Sequence, residues 1–202
     1  MSARTVHMVA SVLLGYPDER LRDGLGVLRE AVSWLPSGEA RDRLSAFLAY
    51  VAGTDLRALA AHYVATFDLK RRCCPYLTYY AYGDTRRRGP ALLRFQHAVK
   101  AAGFELDGGE LPDHLAVVCE LWARGAEREA RRLLLEHRAG VEVLHAALRE
   151  EGSPYADVVA AVLATLPPAG ARERQAALRL AAEGPPAEAV GLEPYAIMEA
   201  GR

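Results

Sequence analysis

Apolar residues return every three or four positions along most of the chain, and glycine or proline cuts the pattern at short intervals. That period matches the 3.6-residue turn of an α-helix and not the alternation of a half-buried strand. Val6, Val9, Ala10, Leu13 and Leu14 form the first stripe, which Gly15-Tyr16-Pro17 stops. Leu21, Leu25, Leu28, Val32 and Leu35 predict a second helix, ended by Pro36-Ser37-Gly38. Leu44, Phe47, Leu48 and Val51 predict a third, ending near Gly53. Asp55 is placed to cap a fourth, with Leu56, Leu59, Ala60, Tyr63, Val64 and Phe67 on one face. Ala and Leu, both strong helix formers, make up about a third of the chain, whereas β-branched and aromatic residues are sparse. An all-α, single-domain multi-helix bundle follows.

The second half continues in kind. A helix is expected from about Pro90 to Gly103, where glycine makes a C-terminal stop. Pro112 is read as opening another, with Leu115, Val118, Cys119 and Trp122 inward and Gly125 at its end. Residues 127–148 read as helical with a break at Arg138-Ala139-Gly140. Ser153 followed by Pro154 predicts an N-cap and a first helical position, and Pro167-Pro168 ends the stripe Tyr155 to Leu166. Residues 170–182 are helix-prone with a thin apolar face. The expected division is a helical domain over 1–183 and a mobile Pro/Gly/Glu-rich tail over 184–202.

Charge and cysteine usage limit the function. The 25 Lys+Arg balance 26 Asp+Glu, which argues against a dedicated nucleic-acid binder. No apolar run approaches the roughly 20 residues that cross a bilayer. Three cysteines, two of them adjacent at Cys73 and Cys74, fit a reduced, cytoplasmic protein better than a disulfide scaffold. No C-x-x-C, H-x-x-x-H or H-E-x-x-H spacing occurs, so no metal site or cofactor is expected. Cys119 falls on an apolar stripe and reads as a small buried hydrophobe. Lys70, Arg71 and Arg72 would lower the Cys73 thiol pKa if they lay close, which keeps a Cys-dependent redox or metal protein open as one alternative. No phosphate loop and no G-x-S-x-G appear, so the chain is not read as an enzyme.

Two segments stand apart. In residues 68–89, Lys70-Arg71-Arg72 and Arg86-Arg87-Arg88 bracket Tyr76, Tyr79, Tyr80 and Tyr82, a pattern that suits either phosphate contact or a solvated, ion-paired edge. In Glu110-Leu111-Pro112-Asp113-His114-Leu115, acids near a helix start suit the helix dipole, and His114 can bond a neighbouring carboxylate or carbonyl.

The run Tyr63 to Tyr80 (with Phe67, Asp68, Arg71, Arg72, Cys73 and Cys74) and the run Gly83-Asp84-Thr85-Arg86-Arg87-Arg88-Gly89 resemble NarJ-type assembly chaperones of nitrate reductase. Leu13-Leu14-Gly15-Tyr16-Pro17, the Glu110–Leu115 segment and Ser153-Pro154-Tyr155-Ala156 fit the same pattern, so the likeness runs from about Val6 to Leu166. In the wider TorD/DmsD class, a leucine stands where this chain has Thr66, and the proline of the acidic motif falls one place before Pro112. The resemblance implies an all-helical, cytoplasmic, non-catalytic chaperone of the TorD/NarJ-like type. It would bind the N-terminal leader of the molybdenum-containing catalytic subunit and hold that subunit until cofactor insertion and membrane assembly. Tyr63, Phe67, Asp68, Glu110, Pro112, Asp113 and His114 are then the expected peptide-binding residues. A generic helical adaptor for another partner shares every compositional feature and is the other alternative.

Overall fold

A computed structural model describes residues 2–105 and 110–186. The chain begins with α1 (Ser2–Leu13), whose stripe Val6, Val9, Ala10 and Leu13 is buried as its spacing predicts. The expected second helix is two: α2 (Glu19–Asp23) and α3 (Leu25–Ser33), which meet at Gly24. The Gly24 N–H closes on Arg20 O at 2.9 Å, and a side chain there would crowd that oxygen at 3.1 Å. A close turn at glycine thus overrides a continuous apolar stripe. Helix α4 (Glu39–Gly53) buries Leu44, Phe47, Leu48 and Val51, and Asp55 caps α5 (Leu56–Tyr63) by accepting from Ala58 N at 3.0 Å.

Helix α5 runs into a widened π-type turn over Val64–Asp68, followed by a short 3₁₀ turn at Arg71–Cys73 and α6 (Leu77–Tyr82). Next come α7 (Arg88–Ala101), α8 (Leu115–Ala123), α9 (Glu127–Glu136) and α10 (Arg138–Glu150). The break falls at His137, and Gly140 lies inside α10. Its lack of a side chain serves packing: a Cβ would sit 2.8 Å from Tyr80 Cβ, so glycine lets α10 close on α6. Helix α11 (Tyr155–Leu163) starts beside Ser153, but the Ser153 hydroxyl does not cap it. That Oγ lies 2.9 Å from His62 Nε2 and links α11 to α5. Finally α12 (Ala171–Glu183) rests on α10 and buries none of its residues, in line with its thin apolar face. The expected tail falls mostly on residues 187–202, which lie outside the described ones.

The core sits where α1, α4, α8, α10 and α11 converge, with α1 most extensively packed on α8. Leu13, Leu44, Phe47, Leu115, Leu133, Leu144 and Leu148 are fully buried, each contributing about 2 kcal/mol of transfer free energy. At the α1/α8 seam the His7 ring stacks on Trp122 with centroids 4.0 Å apart, while His7 Nε2 lies 2.9 Å from Thr165 Oγ1. Burial holds this histidine neutral and pushes its pKa down to about 3. Among the described residues, no helix is long and apolar enough to cross a membrane, and no three His, Cys, Asp or Glu side chains gather to hold a metal.

Candidate peptide-binding groove

The local geometry starts from a backbone crossing. Tyr76 and His114 form an isolated antiparallel bridge: Leu77 N donates to Asp113 O and Leu115 N to Pro75 O, both at 2.9 Å. This bridge takes up the stretch expected to be the first turn of α8. Pro112 and Asp113 therefore lie in a buried turn ahead of the helix, and α8 begins at Leu115. His114 is the N-cap, its Nδ1 accepting from Ala116 N at 3.1 Å, so the neutral ring carries its proton on Nε2. Burial lowers the His114 pKa, and Glu110 and Asp113 oppose that shift.

Asp113 is completely buried, and its carboxylate faces the start of α6. Oδ2 accepts from Thr78 N at 3.1 Å and from Thr78 Oγ1 at 2.5 Å, which caps α6 from outside its own sequence. Arg88 completes the junction: its Nε donates to Thr78 Oγ1 at 3.0 Å and its Nη2 lies 3.6 Å from Asp113 Oδ2. The same guanidinium stands over the Tyr76 ring at 5.5 Å. Tyr76 Oη donates to Glu110 Oε1 at 2.9 Å, so this exposed carboxylate is held in place at the rim. Burial, then Glu110, raises the Tyr76 pKa.

Next to this junction a groove of about 600 Å³ opens between the outer faces of α1 and α8 and the end of α7. Its apolar lining includes Met8, Val12, Val99, Phe104 and Val117. Three carboxylates (Glu105, Glu110 and Glu120) and one guanidinium (Arg124) border it, and His114 lies in its wall. Met8 and Val12 are 43% and 42% exposed and lie side by side on α1 facing the groove.

Of the residues expected to bind a peptide, Glu110 and His114 meet in this groove, while Pro112 and Asp113 lie behind it. Tyr63 and Phe67 are 7% exposed and join an aromatic cluster: Phe67 and Tyr155 have centroids 4.8 Å apart, Tyr63 and Phe67 4.9 Å. Tyr63 is not among the lining residues; its ring meets the exposed Tyr16 ring, next to Gly15, at 5.5 Å, and Glu110 helps burial raise its pKa. Asp68 is exposed at the end of the π-type turn and is not one of the lining residues. The sequence reading missed Met8, Val12, Val99, Phe104, Glu105, Val117, Glu120 and Arg124. One signal was present: Met8 and Val12, four residues apart, make a second apolar stripe on α1 beside the buried one.

The basic segment 70–88 is an ion-paired edge. Lys70 pairs with Glu151, Arg72 binds Glu151 at 2.6 Å and Glu150 at 3.2 Å, and Arg71 reaches Asp84 at 3.7 Å. Arg72 and Lys70 do lower the Cys73 pKa, as expected of nearby cations, but the net shift is upward and the thiol is not activated. The thiol is fully buried, and desolvation raises its pKa more strongly than Arg72 and Lys70 lower it. Burial also pushes Cys74 up to about 11, and Cys119 is a buried core residue.

The described residues thus form an all-helical bundle that carries an apolar groove bordered by carboxylates. The crystal structure of an Archaeoglobus fulgidus protein assigned to redox enzyme maturation has this fold, with a TM-score of 0.59 at 24% identity over 80% of this chain and 92% of that one. Residues 35–161 match the family model described as nitrate reductase delta subunit, and the chain belongs to that family. It is 35% identical to the "Probable nitrate reductase molybdenum cofactor assembly chaperone NarJ" of Bacillus subtilis over 81% of this chain and 89% of that protein. Identity to the Escherichia coli nitrate reductase molybdenum cofactor assembly chaperone NarJ is 30% over 74% of this chain and 64% of that one. The "Nitrate reductase-like protein NarX" of Mycobacterium tuberculosis is 39% identical over 79% of this chain, which spans about a quarter (24%) of that protein.

Proposed function

We propose that this protein is a cytoplasmic, system-specific chaperone for respiratory nitrate reductase. It binds the N-terminal leader of the molybdenum-containing catalytic subunit in the α1/α8 groove. It holds that subunit until its cofactors are inserted and the complex assembles at the membrane. The observation that carries this reading is the groove itself: apolar side chains of α1 and α8 in its lining, three carboxylates at the border, and a framework that belongs to the delta-subunit family. An amphipathic segment can lay its apolar face on Met8, Val12 and Val117 as a helix. Its cationic residues then meet Glu105, Glu110 and Glu120. Ordering a flexible leader offsets part of the contact energy, which keeps the complex reversible and allows release after loading. The protein supplies no bond-making step.

The residues expected from the sequence divide by position. Glu110 and His114 touch the leader. Pro112, Asp113 and the Thr78–Arg88 junction fix where Glu110 stands. Tyr63 and Phe67 pack behind the Gly15 end of the groove, and Asp68 offers a further carboxylate beyond them. Co-purification tests the reading, using the catalytic subunit with and without its first 30 or so residues, about the reach of a helix-in-groove anchor. The intact subunit is expected to stay associated and the shortened one to be lost. Equal retention of both would overturn the leader assignment.

A further inference from the structure

Resting on the groove reading above, the geometry points to Arg124 as a built-in plug that sets the groove's selectivity for cationic peptides. Among the described residues lining the groove it is the one Lys or Arg, against three carboxylates. It follows α8 directly as the C-cap residue. Two contacts hold it over the groove. Nη1 donates to Glu120 Oε1 at 3.0 Å, and the guanidinium stands 4.5 Å from the centroid of the Phe104 ring. Both Arg124 and Glu120 side chains are half exposed, so the pair is weak enough to open.

The plug occupies what a leader needs. Glu120 is the carboxylate that an incoming arginine or lysine would pair with, and Phe104 is the largest apolar side chain lining the groove. While Arg124 is seated, an apolar peptide without a cation gains little, because nothing displaces the guanidinium. A peptide carrying both an apolar face and a cation replaces the Glu120 pair with its own and uncovers the Phe104 ring. Selectivity thus comes from exchange of like for like, with the protein's own arginine standing in for the ligand's in the empty state.

The test uses a synthetic peptide with the sequence of the catalytic subunit's first 20 or so residues, about the length of a helix that fills such a groove. Binding is measured by calorimetry on the full chain at low and high salt. Arg124→Ala is expected to bind about two- to fivefold more tightly than the parent, with steeper salt dependence, because one exposed ion pair no longer competes. Glu120→Gln is expected to bind more weakly. In Glu120→Gln/Arg124→Ala the gain from removing Arg124 should shrink, since the carboxylate it blocked is gone. Unchanged or weaker binding by Arg124→Ala would overturn the plug, as would an undiminished gain in the double variant, while the groove reading would stand. Failure of the parent protein itself to bind the peptide would overturn both. Circular dichroism of each variant separates these outcomes from a change in fold.

Discussion

The α1/α8 seam and the α6/α8 junction bury polar groups in opposite ways. At the seam, His7 lies flat on Trp122, neutral, with Thr165 as its one hydrogen-bonding neighbour. At the junction, Asp113 sits fully buried but within reach of Arg88, two Thr78 donors and a helix start. The seam tolerates its histidine because the ring gives up its charge. The junction tolerates its carboxylate because Oδ2 accepts from both Thr78 donors and lies near the Arg88 guanidinium, while Oδ1 has no partner. The seam therefore depends on pH and the junction on partners.

Removing a partner is the harshest way to break the comparison. Asp113→Ala strips the α6 cap and leaves Arg88 without its buried counter-charge, at an expected cost of about 3 to 5 kcal/mol in urea unfolding. Asp113→Asn, which still accepts from Thr78, should lose clearly less. A loss below about 1 kcal/mol for the alanine variant would mean that the junction is not the fastening described.

The seam answers to acid instead. Folding lowers the His7 pKa to about 3, so below its ordinary value the unfolded chain takes up a proton that the folded chain refuses. The associated stability is fully present above about pH 6.5 and lost as pH falls toward 3, with about 2 kcal/mol gone by pH 5. His62, His114, His137 and His145 are also lowered by burial and add to the slope. His7→Phe should flatten the curve of unfolding midpoint against pH by its own share. An unchanged slope would remove His7 from the account.

Smaller effects sharpen the contrast. Gly140→Ala forces a methyl against Tyr80 and should cost about 2 kcal/mol, read as a lower thermal midpoint. Ser153→Ala deletes the contact to His62 and should cost about 1 kcal/mol. Glu110→Gln, on the exposed rim, should change stability by less than about 0.5 kcal/mol, yet weaken binding of the leader peptide measured by calorimetry. Stability and binding moving together in that variant would place Glu110 in the framework rather than at the groove.

Most helices were legible because a 3.6-residue stripe needs only one neighbouring surface, whichever it is. The stripe Val6 to Leu13, the cap at Asp55 and the stop at Gly125 all follow from local chemistry. The failures have long-range causes. Pro112 looks like a helix opener, but Pro75, from a distant part of the chain, claims Leu115 N and delays the helix. Ser153 looks like a cap, but His62 takes its hydroxyl. Gly140 looks like a break, but its task is to admit Tyr80. The groove was the least legible feature. Its walls come from α1, α7 and α8, and nothing in their separate patterns says which surfaces meet. The Glu110–His114 motif marked one end, and the second apolar stripe on α1 went unread.

Helix α1 presents one apolar face to the core and another, through Met8 and Val12, to the groove. A recess built this way exists only while α1 and α8 remain assembled, so whatever settles in it must also hold them together. Any genuine occupant then announces itself as added heat resistance, by about 2.7 kcal/mol at a concentration one hundred times its dissociation constant. A melting curve would thus serve as a direct gauge of occupancy, with no label on either molecule.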